Sequence, residues 1–220
     1  MLPRVRGRPL AAIAVAGQLA FVVAWAVAGA LQTGYAPADQ AVSDLAALTA
    51  DNRWIVGLGL VCLAMSDTAV AILLWRALGP PGHPAAVMFA VAAVGVLSIL
   101  ALPLDCAPSG DPTCQARLDA GRVSTRHDAH GVAAVLTQLT LLATPFAVAR
   151  ALAPRRLALW AFAAGLAGLA TLVWVAAIGS GEPGYGVAQR ATFGFVHLWV
   201  VAIAAAVVAG WAQRDRVPEP

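Results

Sequence analysis

The stretch RHDAH at residues 126–130 contains two histidines three positions apart, His127 and His130. If the helix that follows begins one turn early, both imidazoles lie on the same face of it. Asp105 ends the preceding apolar run, so it can approach the pair from a neighbouring helix. Two imidazoles and a carboxylate form a common zinc ligand set with a position open for water, and they can also transfer protons. The alternative is structural: Asp128 caps the helix N-terminus, and both histidines are solvated at the membrane interface.

Two further ionisable residues stand inside apolar runs, Asp67 in MSDTAV and His197 in GFVHLWV. An acid inside a membrane span costs free energy unless it is paired or protonated, so Asp67 is a functional candidate by default. From the helical rise per residue, His197 should lie about 10 Å and Asp67 about 20 Å below the outer surface. These two side chains therefore need not touch. His197 is closer in depth to His130, which makes it another candidate metal ligand. Gln18 in the first span adds a polar group to which the pattern assigns no role.

Polar side chains recur at a spacing of seven residues from His130 through Thr137 to Thr144. In lipid, such a stripe must face other helices. The threonines either bond to backbone carbonyls and hold helices together, or they line a path for a ligand. The sequence supports either interpretation.

Cys106 and Cys114 flank the segment APSGDPT, which is rich in turn-forming residues. On the outer side of a membrane, a disulfide is the expected state of such a pair. Closing so short a ring stabilises a fold by roughly 2–3 kcal/mol. Metal binding through the two thiolates is the alternative. Cys62 lies inside an apolar run and is expected to pack as a small apolar group, and the Arg-rich stretch after Cys114 is expected to be flexible.

The composition indicates that these residues belong to a membrane protein. Of the 220 residues, 60% are hydrophobic and 11% are charged, whereas a soluble domain has about 25% charged residues. A chain this apolar needs lipid as the solvent for much of its surface. All 14 basic residues are arginine, which is typical of a GC-rich coding bias, so the net charge of +3 does not indicate nucleic-acid binding. The expected partner is the lipid bilayer.

Six segments have the roughly 20 apolar residues that a membrane-crossing helix needs. They are residues 10–31, 54–78, 85–104, 130–152, 157–179 and 191–211. The connections on one side of the membrane are short, whereas those on the other side are longer and cover residues 32–53, 105–129 and 180–190. The sequence therefore predicts an all-α polytopic membrane protein, a six-transmembrane-helix bundle that forms a single domain over residues 1–220.

The arginines predict the orientation of this bundle. Nine of them fall on the side of the two termini and five on the side of the long connections. The nine are Arg4, Arg6, Arg8, Arg76, Arg150, Arg155, Arg156, Arg214 and Arg216. Because arginine-rich loops stay in the cytoplasm, both termini are predicted to be cytoplasmic (N-in/C-in), in the plasma membrane. The His127 and His130 pair then faces outward.

The first long connection has a helical pattern of its own. Ala41, Leu45 and Leu48 recur at helical spacing. We expect a short helix over residues 39–48 that lies on the outer membrane surface or caps the bundle.

Three stretches carry a family resemblance: GYAPADQAVSDLAA (34–47), ALPLD (101–105) and GYGVAQRATFGFVHLWV (184–200). They resemble the signature of a prokaryotic membrane family catalogued as domain of unknown function 998. The chain differs from that pattern at Ala36, where serine is common, and in its long cysteine-bearing connection. The resemblance covers essentially the whole chain. It implies a six-span bundle, and the family has no established activity.

The sequence leaves a metal-dependent function open. A membrane-embedded hydrolase would use a divalent metal such as zinc to activate water toward a lipid-like substrate. Its candidate ligands are Asp105, His127, His130 and His197. Convergence of their nitrogen and oxygen atoms within about 5 Å would favour this hypothesis.

Two other functions also fit. A transporter of a small molecule would line its path with Asp67 and the stripe from Thr137 to Thr144. An accessory protein of the cell envelope would use its outer loops to bind other components. The sequence contains no phosphate-binding loop, kinase signature or Gly-x-Ser-x-Gly elbow, so those enzyme classes receive no support.

Overall fold

The computed structural model of the protein describes residues 7–152 and 155–209. Some residues that enter the orientation prediction lie outside the described residues, as do the last two residues of the sixth predicted span. These are Arg4, Arg6, Arg214, Asp215, Arg216 and Glu219, and Gly210 and Trp211 of the span.

The described chain is helical, with seven α-helices. They are α1 (Arg8–Leu31), α2 (Arg53–Leu78), α3 (His83–Ala101), α4 (Pro112–Asp119), α5 (Thr125–Ala151), α6 (Arg155–Ile178) and α7 (Tyr185–Val208). Two short 3-10 helices, Val42–Ala46 and Pro80–Gly82, lie in the connections. All α-helices except α4 are long and apolar enough to cross a membrane. The predicted all-α architecture with six spans is confirmed, and the chain is a multi-pass membrane protein surrounded by lipid.

The six spans pack in the order of the chain, and α7 closes the ring by packing on α1. The most enclosed span is α2, with 56% of its apolar stretch buried, compared with 17–33% in the other spans. It also contacts α7. We call the end of the bundle with the long connections, residues 32–52, 102–124 and 179–184, the loop end. The opposite end, with the tight turn at residues 79–82, is the turn end.

Two glycines allow α1 and α2 to approach each other closely. A Cβ atom on Gly17 would lie 2.3 Å from the carbonyl oxygen of Cys62, and one on Gly59 would lie 2.6 Å from the Cβ atom of Ala24. Small residues at such points let helix backbones meet inside a membrane. The approach places Gln18, the next residue of α1, directly against α2.

Two apolar clusters fill the bundle. The cluster toward the turn end includes Leu74, Phe89 and Leu142, and the cluster toward the loop end includes Phe21 and Val56. Four polar residues of the spans lie between these clusters along α1, α2 and α7: Gln18, Ser66, Asp67 and His197.

At the loop end, Arg190 of α7 fastens the first connection to the bundle. Its Nη1 donates hydrogen bonds to the carbonyl oxygens of Pro37 at 2.5 Å and Gln40 at 3.0 Å, and its Nη2 donates to the Tyr35 hydroxyl. Gln189, beside it, accepts a hydrogen bond from the backbone of this connection. The polar dipeptide Gln189–Arg190 and the Gly-Tyr stretch of the first connection therefore form one structural contact.

The same contact explains why α7 begins earlier than expected. The helix starts at Tyr185, after Gly184 in a left-handed conformation with φ of 84°, and not at residue 191. The polar side chains that lower the hydropathy of its first two turns are satisfied by the first connection, so these turns remain helical.

The start of α5 also differs from the expected position at residue 130. The helix begins at Thr125, because the Ser124 hydroxyl accepts a hydrogen bond from the backbone N–H of His127 at 3.3 Å. Ser124 is therefore the N-cap of α5, whereas Asp128 lies inside the first turns and is exposed. An early start of this kind places His127 and His130 on the helix.

The connections at the loop end differ from the expected ones in opposite ways: the first has less helix and the second has more. In place of a helix over residues 39–48, the first connection forms only the 3-10 helix Val42–Ala46, which packs on α1, α2 and α7. Leu48 from the expected apolar stripe is 40% exposed, because the helix has already ended. The stretch after Cys114, which was expected to be flexible, begins inside α4, whose N-cap is Asp111. The predicted Cys106–Cys114 disulfide is present, with Cα atoms 5.8 Å apart, and Cys62 is a free thiol.

Candidate functional site

Asp105 joins the end of α3 to the start of α5. Its carboxylate accepts hydrogen bonds from the Ser124 backbone N–H at 2.6 Å and from the Ser124 hydroxyl at 2.7 Å. It also pairs with the Arg126 guanidinium at 2.9 Å. These bonds, those from Ser124 above all, lower the pKa of Asp105 to about 2. Both carboxylate oxygens are thus occupied in holding two elements together.

The histidine pair is buried and binds backbone atoms that follow α3. His127 Nδ1 accepts a hydrogen bond from the backbone N–H of Asp105 at 3.2 Å. His130 Nδ1 lies 2.7 Å from the carbonyl oxygen of Leu102 and donates to it, because a carbonyl oxygen only accepts. Asp105 and His127 therefore meet through the backbone of Asp105 and not through its carboxylate. We call Asp105, Ser124, Arg126, His127 and His130 the loop-end clasp.

The clasp residues are not arranged as a ligand set. Within the described ranges, no group of three His, Cys, Asp or Glu side chains is placed to hold a metal ion. His127 and His130 each direct Nδ1 to the backbone, and the Asp105 carboxylate is directed to Ser124 and Arg126. His197 is not part of this group.

The threonine stripe of α5 serves contacts between helices. Thr137 donates to the Ala133 carbonyl oxygen at 2.7 Å and packs tightly on Gly95 of α3. Thr144 donates to a carbonyl oxygen of its own helix and accepts a hydrogen bond from Trp199 Nε1 at 3.0 Å. Both hydroxyls are already engaged by protein groups.

A second polar cluster lies deep between α1, α2 and α7, and Gln18 is its centre. Gln18 Nε2 donates to the Ser66 hydroxyl at 2.8 Å and lies 3.5 Å from Asp67 Oδ1. On its other side, Gln18 Oε1 is hydrogen-bonded to His197 Nδ1. The Ser66 hydroxyl in turn donates to the Ala14 carbonyl oxygen at 2.6 Å. We call Gln18, Ser66, Asp67 and His197 the central polar group.

The central polar group is enclosed but incompletely hydrogen-bonded. Ser66 and Asp67 are fully buried, and Gln18 is 1% exposed. The edge of the Phe21 ring packs on His197, with ring centroids 5.8 Å apart. In the described part of the chain, Asp67 Oδ2 and His197 Nε2 have no hydrogen-bond partner. An unpaired polar atom in such a place costs free energy and leaves bonding capacity for a proton or a ligand.

Sequence analysis put Asp67 and His197 at different depths because it took residue 191 as the start of the last span. With α7 beginning at Tyr185, His197 lies about 18 Å along its helix from the loop end. Asp67 lies about 20 Å from the start of α2, and Gln18 about 20 Å from the end of α1. All three residues therefore share one level. Correct helix boundaries, together with the glutamine in an apolar span, were the signal that could have revealed the group.

Comparison with known sequences identifies the family. The chain matches the family described as protein of unknown function (DUF998) over residues 15–206. This match covers four spans completely and most of α1 and α7. Comparison with curated proteins and with solved structures gives no match. The chain belongs to the DUF998 family of proteins of unknown function.

Proposed function

We propose that the protein is a proton-coupled membrane transporter of a small solute, in which Asp67 binds and releases the coupled proton. One observation carries the proposal: Asp67 Oδ2 and His197 Nε2 are unpartnered among the described residues and are linked through one side chain, Gln18. Ionisable residues at this depth are typical of proton relays and solute paths.

The surroundings of Asp67 favour a neutral carboxyl group while the bundle is closed. Its hydrogen-bond donor in the described structure is Gln18 Nε2, at a long distance of 3.5 Å, and the carboxyl has no cation beside it. A charge in this position is costly unless water or a solute reaches Oδ2. Loss of the proton is therefore linked to opening of the bundle, and a change of conformation linked to a bound proton is what a coupled transporter needs.

Gln18 positions the two titratable residues. Its Nε2 donates to Ser66, so its Oε1 is the atom that faces His197 and accepts the Nδ1 proton. This fixes the neutral tautomer of His197 and leaves Nε2 as the nitrogen that can receive a proton. An amide does not itself carry a proton onward. We therefore assign Gln18 a positioning role and assign proton transfer to Asp67 and His197.

We also propose that this single six-helix domain lies in the plasma membrane with the loop end outside and both termini in the cytoplasm. The full sequence supports this orientation, because nine arginines fall on the side of the termini and five on the side of the loop end. The disulfide at the loop end supports it too, because disulfides persist in oxidising compartments. A single cysteine introduced at Asp51 should react with a membrane-impermeant maleimide in intact cells, and one at Pro81 should not.

Proton movement into liposomes tests the transport proposal. Purified protein is reconstituted with a pH-sensitive dye inside, and a potassium diffusion potential drives protons inward. The wild type should exceed protein-free liposomes, and Asp67→Asn should fall to their level, because asparagine keeps the shape but cannot bind the proton. His197→Gln should reduce the flux. An Asp67→Asn flux equal to that of the wild type would contradict the proposal.

Two serines provide a matched control. Ser66→Ala removes a hydroxyl that orients Gln18. Ser98→Ala removes an exposed hydroxyl that bonds only to Val94 of its own helix, at 2.9 Å. The first variant should lower the flux and the second should not. Equal effects of both would point to a general change in packing.

A further inference from the structure

A cavity of about 180 Å³ opens at the loop end, between the first connection and the disulfide-closed segment. It is formed by residues other than the central polar group. Polar side chains contribute much of its wall: Gln32, Thr33, Tyr35, Gln40, Asp44 and Asp111.

Asp44 is the unusual member of this wall. Although it lies in a connection, it is only 4% exposed. Its Oδ2 accepts a hydrogen bond from the Ser109 hydroxyl at 2.5 Å, whereas Oδ1 meets no donor of the described chain in hydrogen-bond geometry. Burial raises the pKa of Asp44 to about 6, against the opposing effect of hydrogen bonds from Ser109 and Gly110. The carboxylate is therefore charged at neutral pH but is not fully compensated.

The charge of Asp44 is not balanced by a neighbouring cation. Arg190, which contacts Tyr35 in the cavity wall, is committed to the carbonyl oxygens of Pro37 and Gln40 and to the Tyr35 hydroxyl. The described wall includes a second carboxylate, Asp111, and contains no arginine. The cavity thus has a negative potential with hydroxyl and amide groups around it, which favours a cation able to donate hydrogen bonds.

The size of the cavity argues for an organic cation and against a bare ion. Its volume is about six times the share of a water molecule in the liquid, roughly 30 Å³. A metal ion would also need more ligands than this wall offers. Among the described residues, no group of three metal-binding side chains is placed to hold one. A small molecule with an ammonium group and a hydroxyl fits in this space and would use both kinds of wall group.

We propose that this cavity is a binding site for a primary ammonium group, with Asp44 as its counter-ion and Gln32, Thr33 and Gln40 as acceptors for its remaining hydrogens. The site is independent of the proton-coupling proposal, since the two share no residue. The ammonium group can belong to a free amine or to a phosphatidylethanolamine headgroup, because the loop end lies at the level of the lipid headgroups.

Calorimetric titration with ethanolamine tests the proposal. The protein is placed in nanodiscs of phosphatidylcholine and phosphatidylglycerol, which contain no primary amine. Ethanolamine should bind, and ethylene glycol, its neutral analogue, should not. Asp44→Asn should weaken ethanolamine binding by about tenfold or more, because it removes a charge-assisted hydrogen bond while keeping the acceptor for Ser109.

Two variants keep the result interpretable. Asp128→Asn removes an exposed carboxylate at the same end of the bundle and should bind ethanolamine like the wild type. Thr49→Phe fills the cavity from its exposed rim, leaves Asp44 intact and should abolish binding in a folded protein. Ethylene glycol binding equal to that of ethanolamine, or full binding of ethanolamine by Asp44→Asn, would overturn the proposal. The absence of ethanolamine binding would also overturn it, both in these nanodiscs and in nanodiscs that contain phosphatidylethanolamine.

A second set of nanodiscs identifies the source of the ammonium group. If phosphatidylethanolamine in the disc suppresses the titration with free ethanolamine in the wild type, and native mass spectrometry shows this lipid retained by the wild type but not by Asp44→Asn, the occupant is the lipid headgroup. If ethanolamine binds equally in both disc types, the occupant is a soluble amine. Either result supports the ammonium site.

Discussion

Asp105 in the loop-end clasp and Asp67 in the central polar group are both aspartates that contact neighbouring helices, yet their hydrogen bonding is opposite. The Asp105 carboxylate receives two bonds from Ser124 and one from Arg126. The Asp67 carboxylate has one long contact with Gln18 and an oxygen that meets no described donor. A carboxylate whose bonds are complete stabilises one structure, whereas one with a free oxygen can change its state.

The completeness of its hydrogen bonding distinguishes a structural residue from a candidate functional residue better than its residue type does. Histidines beside an aspartate suggested a metal site in the clasp, but there the side chains bind the backbone around Leu102 and Asp105. His130 Nε2 in the clasp has no hydrogen-bond partner in the described structure either, but no carboxylate oxygen is left free there. The glutamine, aspartate and histidine of the spans are distant in sequence, and they combine a free carboxylate oxygen with a free imidazole nitrogen. Three perturbations test this contrast.

The largest effect is expected for Gly17→Val, which should separate α1 from α2. Even a Cβ atom at this position would lie 2.3 Å from the Cys62 carbonyl oxygen, and this backbone atom cannot move without the helix. Overpacking of this kind costs about 3 kcal/mol. Thermal unfolding in detergent, followed by tryptophan fluorescence, should show a strongly lowered Tm. Proton flux should be lost as well, because Gln18 leaves Ser66 and Asp67.

The control is Gly131→Val on α5, where an added Cβ atom meets nothing within 4 Å. This variant should unfold close to the wild-type temperature. If both variants were equally stable, the close approach of α1 and α2 would not be what assembles the central polar group.

The next effect tests the two aspartates directly. Asp105→Asn should destabilise the protein by about 1–2 kcal/mol, because it weakens charge-assisted hydrogen bonds with Ser124 and Arg126. Asp67→Asn should leave the Tm unchanged or raise it, since a neutral amide suits the interior at least as well. Unfolding curves of the two variants at neutral pH provide the measurement. A larger loss of stability in Asp67→Asn than in Asp105→Asn would reverse the assignment of structure and function.

Sequence analysis predicts the features of this protein that depend on residues close together along the chain, and it misses those that depend on residues far apart along the chain. The six spans follow from hydropathy alone, and the Cys106–Cys114 disulfide joins residues that are close in sequence. The start of α7 could not be found in this way, because Gln189 and Arg190 are satisfied by the distant first connection. That error of six residues moved His197 by about 9 Å along its helix, more than enough to separate it from Asp67.

The candidate sites show the same dependence. The sequence identified Asp67 and His197 singly but assigned no role to Gln18, whose side chain joins them. Sequence analysis did not identify Asp44 as a candidate site residue, because an aspartate in a loop is ordinarily solvated. Its burial depends on Ser109, from a different connection, and sequence periodicity does not report such a contact.

The smallest effect is a pair of opposite pH dependences at the loop end. The pKa of Asp105 is lowered to about 2 in the folded protein, so its stabilising contribution is complete above about pH 4 and is lost as the pH falls toward 2. The pKa of Asp44 is raised to about 6, so the folded state binds the extra proton, and stability falls as the pH rises from about 4 to 6. Together these two groups favour stability near pH 4. Between pH 4 and 7, the Tm of the wild type should therefore fall by a few degrees more than that of Asp44→Asn. Asp105→Asn should instead flatten the loss below pH 4 and leave the fall above it intact. If Asp44→Asn kept the wild-type slope between pH 4 and 7, the Asp44 carboxylate would be paired in the folded protein, and its free oxygen would not be available to a cation.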